Sequence, residues 1–163
     1  MGCDIHCVIE YKHEDFNNPN SWDSFGFNSI NPGRNYDLFA NLAGVRGSPK
    51  GGETLASGFG IPDNASWATK YETTVAVNDT NRAEIEGWVA RGISKWVGWV
   101  QDLHGKPTRV THPDWHTHGW ADIKRWKKAV KGSKNLQIKC MNAIMDTLAK
   151  NGCEVRVVFW FDN

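Results

Sequence analysis

Apolar and polar residues alternate near the start of the chain, and apolar residues dominate near its end. Residues 3–11 carry an apolar side chain at nearly every second position, which is the period of a β-strand. Residues 153–161 are apolar on both faces, so a strand there is expected to be central or covered. The β-branched residues of segment 71–77 predict a further strand. Because few strands are available as partners, we expect residues 2–11 and 153–161 to lie in one sheet.

Helical periodicity and turn residues define the rest of the chain. The predicted helices cover residues 37–43, 80–100, 119–130 and 134–150. Gly44 is expected to end the first helix, and the second is expected to break near Gly92. Residues 13–33 and 44–66 are rich in small polar residues or glycine and predict long loops. The order β-α-β-α-α-α-β predicts a single α+β domain over residues 1–163. Its small β-sheet would contain the N- and C-terminal strands, with helices mainly on one face.

Composition narrows the class of protein. The 163 residues include 9 Trp, 7 Phe and 3 Tyr and carry a formal net charge of +1. These values exclude wholesale disorder and argue against a generic nucleic-acid coat protein. No apolar run approaches the roughly 20 residues of a membrane span, so no membrane partner is expected. Four cysteines do not form a disulfide framework, which favours a reducing, cytoplasmic location.

Two groups of residues have the spacing of metal ligands. Asp4 and His6 share one face of the first strand, and mixed Asp/His ligands suit zinc or manganese. Residues 112–118 hold three histidines and one aspartate, and His116 and His118 repeat the same spacing. We therefore expect these four side chains to hold a divalent metal ion. The alternatives are a solvated or paired strand face in the first group and an exposed helix lead-in in the second.

Asp114 and Thr117 belong to the same second group. Asp114 is the candidate catalytic residue, as a further metal ligand or as a general base. In the alternative interpretation, Thr117 is the N-cap of the helix predicted over residues 119–130.

A third group surrounds the first predicted helix and suits an anionic ligand. Arg34 precedes this helix and Arg46 follows it, so the two could clamp a phosphate. Asn35 and Tyr36 lie at the helix N-terminus, where an anion is favoured and where the tyrosine ring offers a stacking face. Trp115 lies in a predicted loop and is the candidate for stacking on a base. Helix capping and surface salt bridges explain the two arginines and Asn35 equally well.

Positive charge is concentrated in residues 122–139, which contain seven Lys or Arg and one acidic residue. Such a run is typical of a solvated helix face. The alternative is a surface for an anionic partner, such as the phosphate of a nucleotide.

Four sequence motifs, spread over the whole chain, are specific enough to suggest a family. They are the start MGCDIH, the segment RNYDLFA followed by LAGVRG, the run HPDWH, and the ending VRVVFWFDN. In these motifs the chain resembles a family of small, largely uncharacterised proteins found in phage genomes and prophage regions. The resemblance implies a viral setting, and with it the cytoplasm of an infected bacterium, but brings no settled activity.

These patterns together predict a phage-encoded accessory protein with an Asp/His metal site and a nucleotide-like or phosphate ligand. As an enzyme, it would be a metal-dependent phosphodiesterase or related hydrolase acting against host defence or nucleotide signals. The metal would lower the pKa of a bound water to about 7. The alternative is a non-catalytic module that sequesters a nucleotide or binds a host protein.

Overall fold

A computed structural model of the chain describes residues 2–15, 18 and 20–162. Residues 16, 17 and 19 of the predicted loop 13–33 lie outside the described residues. The strands are β1 (Ile5–Lys12), β2 (Asp23–Ser24), β3 (Gly58–Phe59), β4 (Thr74–Ala76), β5 (Trp96–Gln101), β6 (Pro107–Thr111), β7 (His116–Asp122) and β8 (Glu154–Phe161). The helices are α1 (Tyr36–Ala43), α2 (Trp67–Glu72), α3 (Arg82–Ala90), α4 (Ile123–Ala129) and α5 (Leu136–Lys150). Among the described residues, no helix is both long and apolar enough to cross a bilayer.

The main sheet has five antiparallel strands in the order β2-β1-β8-β7-β3. β1 and β8 pair along their whole length, from Ile5 opposite Phe161 to Lys12 opposite Glu154. The prediction that the first and last strands share one sheet is confirmed, and the fold class is α+β as expected. β8 is central, and its residues 155–161 are all buried, because strands flank both edges and other elements cover both faces.

The hydrophobic core lies on one face of this sheet. The core side chains from β1 and β8 are Ile5, Cys7, Ile9, Val155, Val157, Phe159 and Phe161. Residues of α1, α4 and α5 complete the core, including the fully buried Trp126 and Met145. α5 contacts both β1 and β8, as predicted for the helix over residues 134–150.

The opposite face of β1 and β8 is more polar. It carries His6, Val8, Glu10, Arg156, Val158 and Trp160, which alternate with the core residues along the two strands. α2 covers part of this face through hydrogen bonds from its N-terminal residues to Glu10. Aromatic side chains cover other parts, with Trp22 over the Arg156 guanidinium and Trp115 beside Trp160.

The second sheet has three antiparallel strands in the order β4-β6-β5, and it corrects one sequence prediction. The helix predicted over 80–100 is wrong beyond Ala90, where α3 ends. Gly92 follows with a φ of 72°, close to the expected break. Beyond it, residues 96–101 form β5. Their aromatic and β-branched residues fit a helical stripe by spacing, but pairing with β6 selects the extended conformation.

The other local predictions are partly correct. α1 agrees with the predicted helix, with Asn35 as its N-cap and Gly44 as its left-handed C-cap. The helix predicted over 119–130 starts only at α4, because residues up to Asp122 extend β7. The strand predicted over 71–77 is reduced to β4, because α2 occupies the residues just before it.

Candidate functional site

The adjacent ends of β1 and β8 bring Asp4, His6, Arg34 and Asp162 together, and we call these four residues the terminal cluster. The Asp162 carboxylate accepts a hydrogen bond from the Asp4 backbone N–H at 2.8 Å. Its other oxygen lies 3.0 Å from Nε2 of His6. The Asp4 carboxylate accepts a hydrogen bond from Nε of Arg34 at 2.8 Å. Each carboxylate of the cluster therefore already has a partner within the chain.

Asp162 is an anion in this cluster. Its partial burial acts to raise the pKa of the carboxyl group. The hydrogen bonds from His6 and from the Asp4 backbone outweigh burial, so the pKa lies below its ordinary value. The nearby positive charge of Arg34 acts in the same direction.

Histidine and tryptophan rings stack on the polar face of the main sheet beside the terminal cluster. The His6 ring centroid lies 5.4 Å from that of Trp115 and 5.8 Å from that of Trp160. His112 stacks on Trp115 at 4.1 Å, and His118 lies 6.5 Å from Trp160. Three of the six histidines thus lie on the side of the sheet that faces away from the core.

His116 lies on the other face of the sheet. It is opposite Phe161 in the β7–β8 pairing, and its ring lies 6.1 Å from that core side chain. His6 stacks on Trp160, and successive residues of a strand point to opposite faces. The register shifts between His116 and Gly119, with Thr117 at a φ of 49°. This irregularity breaks the alternation that would have placed His116 and His118 on one face.

The structure does not bring the predicted metal ligands to one point. Among the described residues, no group of three or more His, Cys, Asp or Glu side chains is placed to hold a metal ion. Asp4 and His6 would have to exchange their bonds to Arg34 and Asp162 for metal ligation. The zinc or manganese centre therefore stays a prediction of the sequence.

His118 and Asp114 have different surroundings. Burial is the main cause that lowers the pKa of His118 to about 4, and the neighbouring His116 and His112 act in the same direction. Asp114 is exposed, and its backbone N–H donates a hydrogen bond to Nδ1 of His112. Its predicted role as general base stays a prediction.

The predicted anion-binding residues are divided between two places. Arg34 belongs to the terminal cluster, and Arg46 lies beside the Cys3 thiol near the start of β1. Tyr36 is 46% exposed and meets Phe39 edge-on, while Trp115 stacks with the histidines. Only Asn35 lines the large basic cavity described next.

A cavity of about 640 Å³ lies between α1 and the connection from α4 to α5, and we call it the basic cleft. Its charged lining residues are Lys50, Lys128, Lys131, Lys134 and Asp37. Asp37 is paired with Lys50 at 2.7 Å, so three further lysines remain in the lining. A neighbouring cavity of about 490 Å³ shares Lys50 and Lys128 with the cleft and adds two basic residues, Lys124 and Arg125, and two acidic ones, Glu53 and Asp122.

Two helices begin at the basic cleft. Asn35 and Asn135 are the N-caps of α1 and α5, and both line the cavity. The positive end of the 15-residue helix α5 adds to the field of the lysines. The cleft is therefore lined both by Asn35, one of the predicted anion-binding residues, and by lysines of the basic run 122–139. Lys50 is not among the anion-binding residues predicted from the sequence, because its glycine-containing segment lacks the Gly-Lys-Ser/Thr of a phosphate-binding loop.

No protein-family description, no curated protein and no solved structure matches this chain.

Proposed function

We propose that the chain binds a phosphate-bearing small molecule, such as a nucleotide, in the basic cleft. The observation that carries the proposal is a cavity of about 640 Å³ lined by four lysines and one carboxylate, which is itself bonded to Lys50. Small-molecule sites are typically about 300–1,000 Å³, so the volume suits a nucleotide.

The charge of the lining favours a phosphate over a neutral ligand. Lysine binds phosphate as a flexible point charge, and several lysines can follow the oxygens of one polyphosphate. Asn35 and Asn135, the N-caps of α1 and α5, both line the cleft, so the positive ends of two helix dipoles lie beside it. The surplus of positive charge is local, since the net charge of the whole chain is only +1.

The lining supports binding more directly than hydrolysis. The described residues that line the cleft include no histidine, cysteine or glutamate, and their one aspartate is bonded to a lysine. In the viral setting that the family resemblance implies, the role would be to sequester a nucleotide in the cytoplasm of the infected cell. A host-protein partner stays the alternative.

Isothermal titration calorimetry with ATP, AMP and inorganic triphosphate tests the proposal. We expect binding that strengthens with the number of phosphates and weakens as salt is raised. The double variant Lys128→Glu/Lys131→Glu should lose at least about 10-fold in affinity, because each change replaces attraction by repulsion. Lys139→Glu/Lys150→Glu is the matched control, since it changes the net charge equally and these exposed lysines of α5 do not line the cleft.

Absence of binding by all three compounds at millimolar concentration would contradict the proposal. An equal loss of affinity in Lys139→Glu/Lys150→Glu would also contradict it, because the effect would then reflect overall charge rather than the cleft.

A further inference from the structure

We propose that Ser29, His6 and Asp162 form a nucleophile–base–carboxylate relay that transfers the acyl group of a small ester to water. The proposal is independent of the basic cleft, whose lining includes none of these three residues. It assigns an activity that needs no metal ion.

The two contacts of the His6 ring define the relay. Nε2 lies 3.0 Å from Oδ2 of Asp162, and Nδ1 lies 3.5 Å from Oγ of Ser29. Because the Asp162 carboxylate can only accept, Nε2 carries the proton and Nδ1 presents its lone pair to the serine hydroxyl. The distance to Ser29 is longer than an ordinary hydrogen bond, as is common for nucleophile and base pairs before substrate binds.

Backbone pairing holds the three side chains in place. Cys7 and Ile30 exchange two backbone hydrogen bonds, of 2.9 and 2.7 Å, which fix the segment containing Ser29 against β1. Asp162 is held by its bond from the Asp4 backbone and by its own N–H, which donates to the Asp4 carbonyl. Three separate segments of the chain therefore meet at one imidazole ring.

Aromatic rings stack on the His6 imidazole and leave part of it exposed to solvent. Trp160 is fully buried and lies nearly parallel to the imidazole, with 7° between the ring planes. Trp115 stacks on the imidazole at 28°. The His6 side chain is 20% exposed and Ser29 is partly buried, so both residues keep part of their surface open to solvent.

The reaction proceeds in two balanced steps. Oγ of Ser29 attacks the ester carbonyl carbon while its proton moves to Nδ1 of His6, and the carboxylate of Asp162 stabilises the imidazolium. The ester C–O bond then breaks, and the imidazolium gives its proton to the departing alkoxide, which leaves as an alcohol. Water attacks the acyl-serine, passes a proton to His6, and releases the carboxylic acid as the proton returns to Ser29.

A fluorophosphonate probe tests the nucleophile. Attack by Oγ of Ser29 on phosphorus would displace fluoride and leave a stable phosphonyl adduct, detected by intact mass and mapped to a peptide. We expect one adduct, at Ser29, that is lost in Ser29→Ala and in His6→Gln and is unchanged by EDTA. Ser24→Ala is the matched control, because Ser24 lies in the same segment but donates to the Gly26 carbonyl.

Asp162 acts as a positioning residue, and its test needs a readout beyond activity. Asp162→Asn should slow labelling by at least about 100-fold, because the amide favours the wrong tautomer of the base. The ¹⁵N chemical shifts of the His6 ring should show the Nε2–H tautomer in the wild type and its loss in the variant. Thermal melting of each variant checks that the fold is retained.

The relay would be overturned by no adduct on the wild-type chain, by an adduct that maps to another residue, or by unchanged labelling in folded Ser29→Ala. Loss of labelling on addition of EDTA would also overturn it, in favour of a metal-dependent site at His6.

Discussion

Glu10 and Arg156 form an ion pair across β1 and β8 that is almost completely shielded from water. The two side chains are 0% and 5% exposed, and a guanidinium nitrogen lies 2.7 Å from the carboxylate. The second carboxylate oxygen accepts hydrogen bonds from the Ser66 backbone at 2.7 Å and from the Thr69 hydroxyl at 2.6 Å. Trp22 covers the guanidinium at 3.8 Å. The pair thus holds the segment containing Ser66 and the segment containing Trp22 against the polar face of the sheet.

Removing one partner of this pair should be costly. Glu10→Ala leaves a buried guanidinium without its counter-ion, and we expect it to lower the free energy of unfolding by about 3–5 kcal/mol. Urea denaturation measures the loss. Lys12→Ala is the control, because its pair with Glu154 is much more exposed and should be worth at most about 1 kcal/mol. Equal losses in the two variants would show that the buried pair has no special role.

Phe159 should be among the most sensitive positions of the core. Its side chain is fully buried in the central strand and meets Phe161 edge-on. We expect Phe159→Ala to lower the free energy of unfolding by about 3–5 kcal/mol, from lost burial and the cavity left behind. A loss below about 1 kcal/mol in urea denaturation would contradict the packing described for this face.

Gly119 allows the close approach of β7 to Phe159. A Cβ at position 119 would lie 2.8 Å from Cζ of Phe159 and 3.1 Å from the Gly58 carbonyl oxygen. Gly119→Ala should therefore destabilise by about 1–3 kcal/mol. Gly87→Ala, in α3 with no atom near the added methyl group, should instead be neutral or stabilising.

The contact between Gly119 and Phe159 also predicts an interaction between two substitutions. In a Phe159→Leu background the ring that meets the new methyl group is gone, so Gly119→Ala should cost less than in the wild type. Urea denaturation measures the free energy of unfolding of both single variants and the double variant. If the two losses of stability are additive, the added methyl group clashes with the Gly58 carbonyl oxygen rather than with the Phe159 ring.

His118 should make the fold sensitive to acid. Its pKa of about 4 lies below the ordinary value of 6.5, because burial disfavours the charged ring. Between these two values the unfolded chain binds a proton that the folded chain does not, so stability falls as pH is lowered through this window. NMR titration should find the His118 midpoint near 4.

The His118→Gln variant isolates this contribution to acid sensitivity. Its free energy of unfolding should fall less steeply than that of the wild type between pH 6.5 and 4, as measured by urea denaturation at several pH values. Identical pH profiles would show that His118 is not responsible.

The sequence predicted an element correctly where its pattern of apolar residues was compatible with only one type of secondary structure. Residues 153–161 are apolar on both faces, which predicted a central or covered strand, and β8 is central. Residues 96–101 fitted two patterns, since the spacing of their apolar side chains suits a helix and their type suits a strand. Pairing with β6, which is a tertiary contact, decided between the two.

The candidate sites depended on contacts that a linear pattern does not contain. One irregularity at Thr117 moves His116 to the core face, although His116 and His118 have the spacing of neighbours on one face. Lys50 and Lys128 reach one cavity only through the packing of α1 against α4. Ser29 has no motif around it, and the Cys7–Ile30 bridge brings it to His6.

The pairing of β1 with β8 sets the order of events during synthesis. Glu10 and Arg156 are separated by 146 residues, so β1 leaves the ribosome long before its central partner exists. At about 5–20 residues per second, that interval lasts roughly 7–30 seconds. For most of it, the apolar face of β1 has neither its central partner strand nor α5, the helix that contacts it. The nascent chain should therefore depend on chaperones until β8 emerges, and should acquire resistance to protease in one late step.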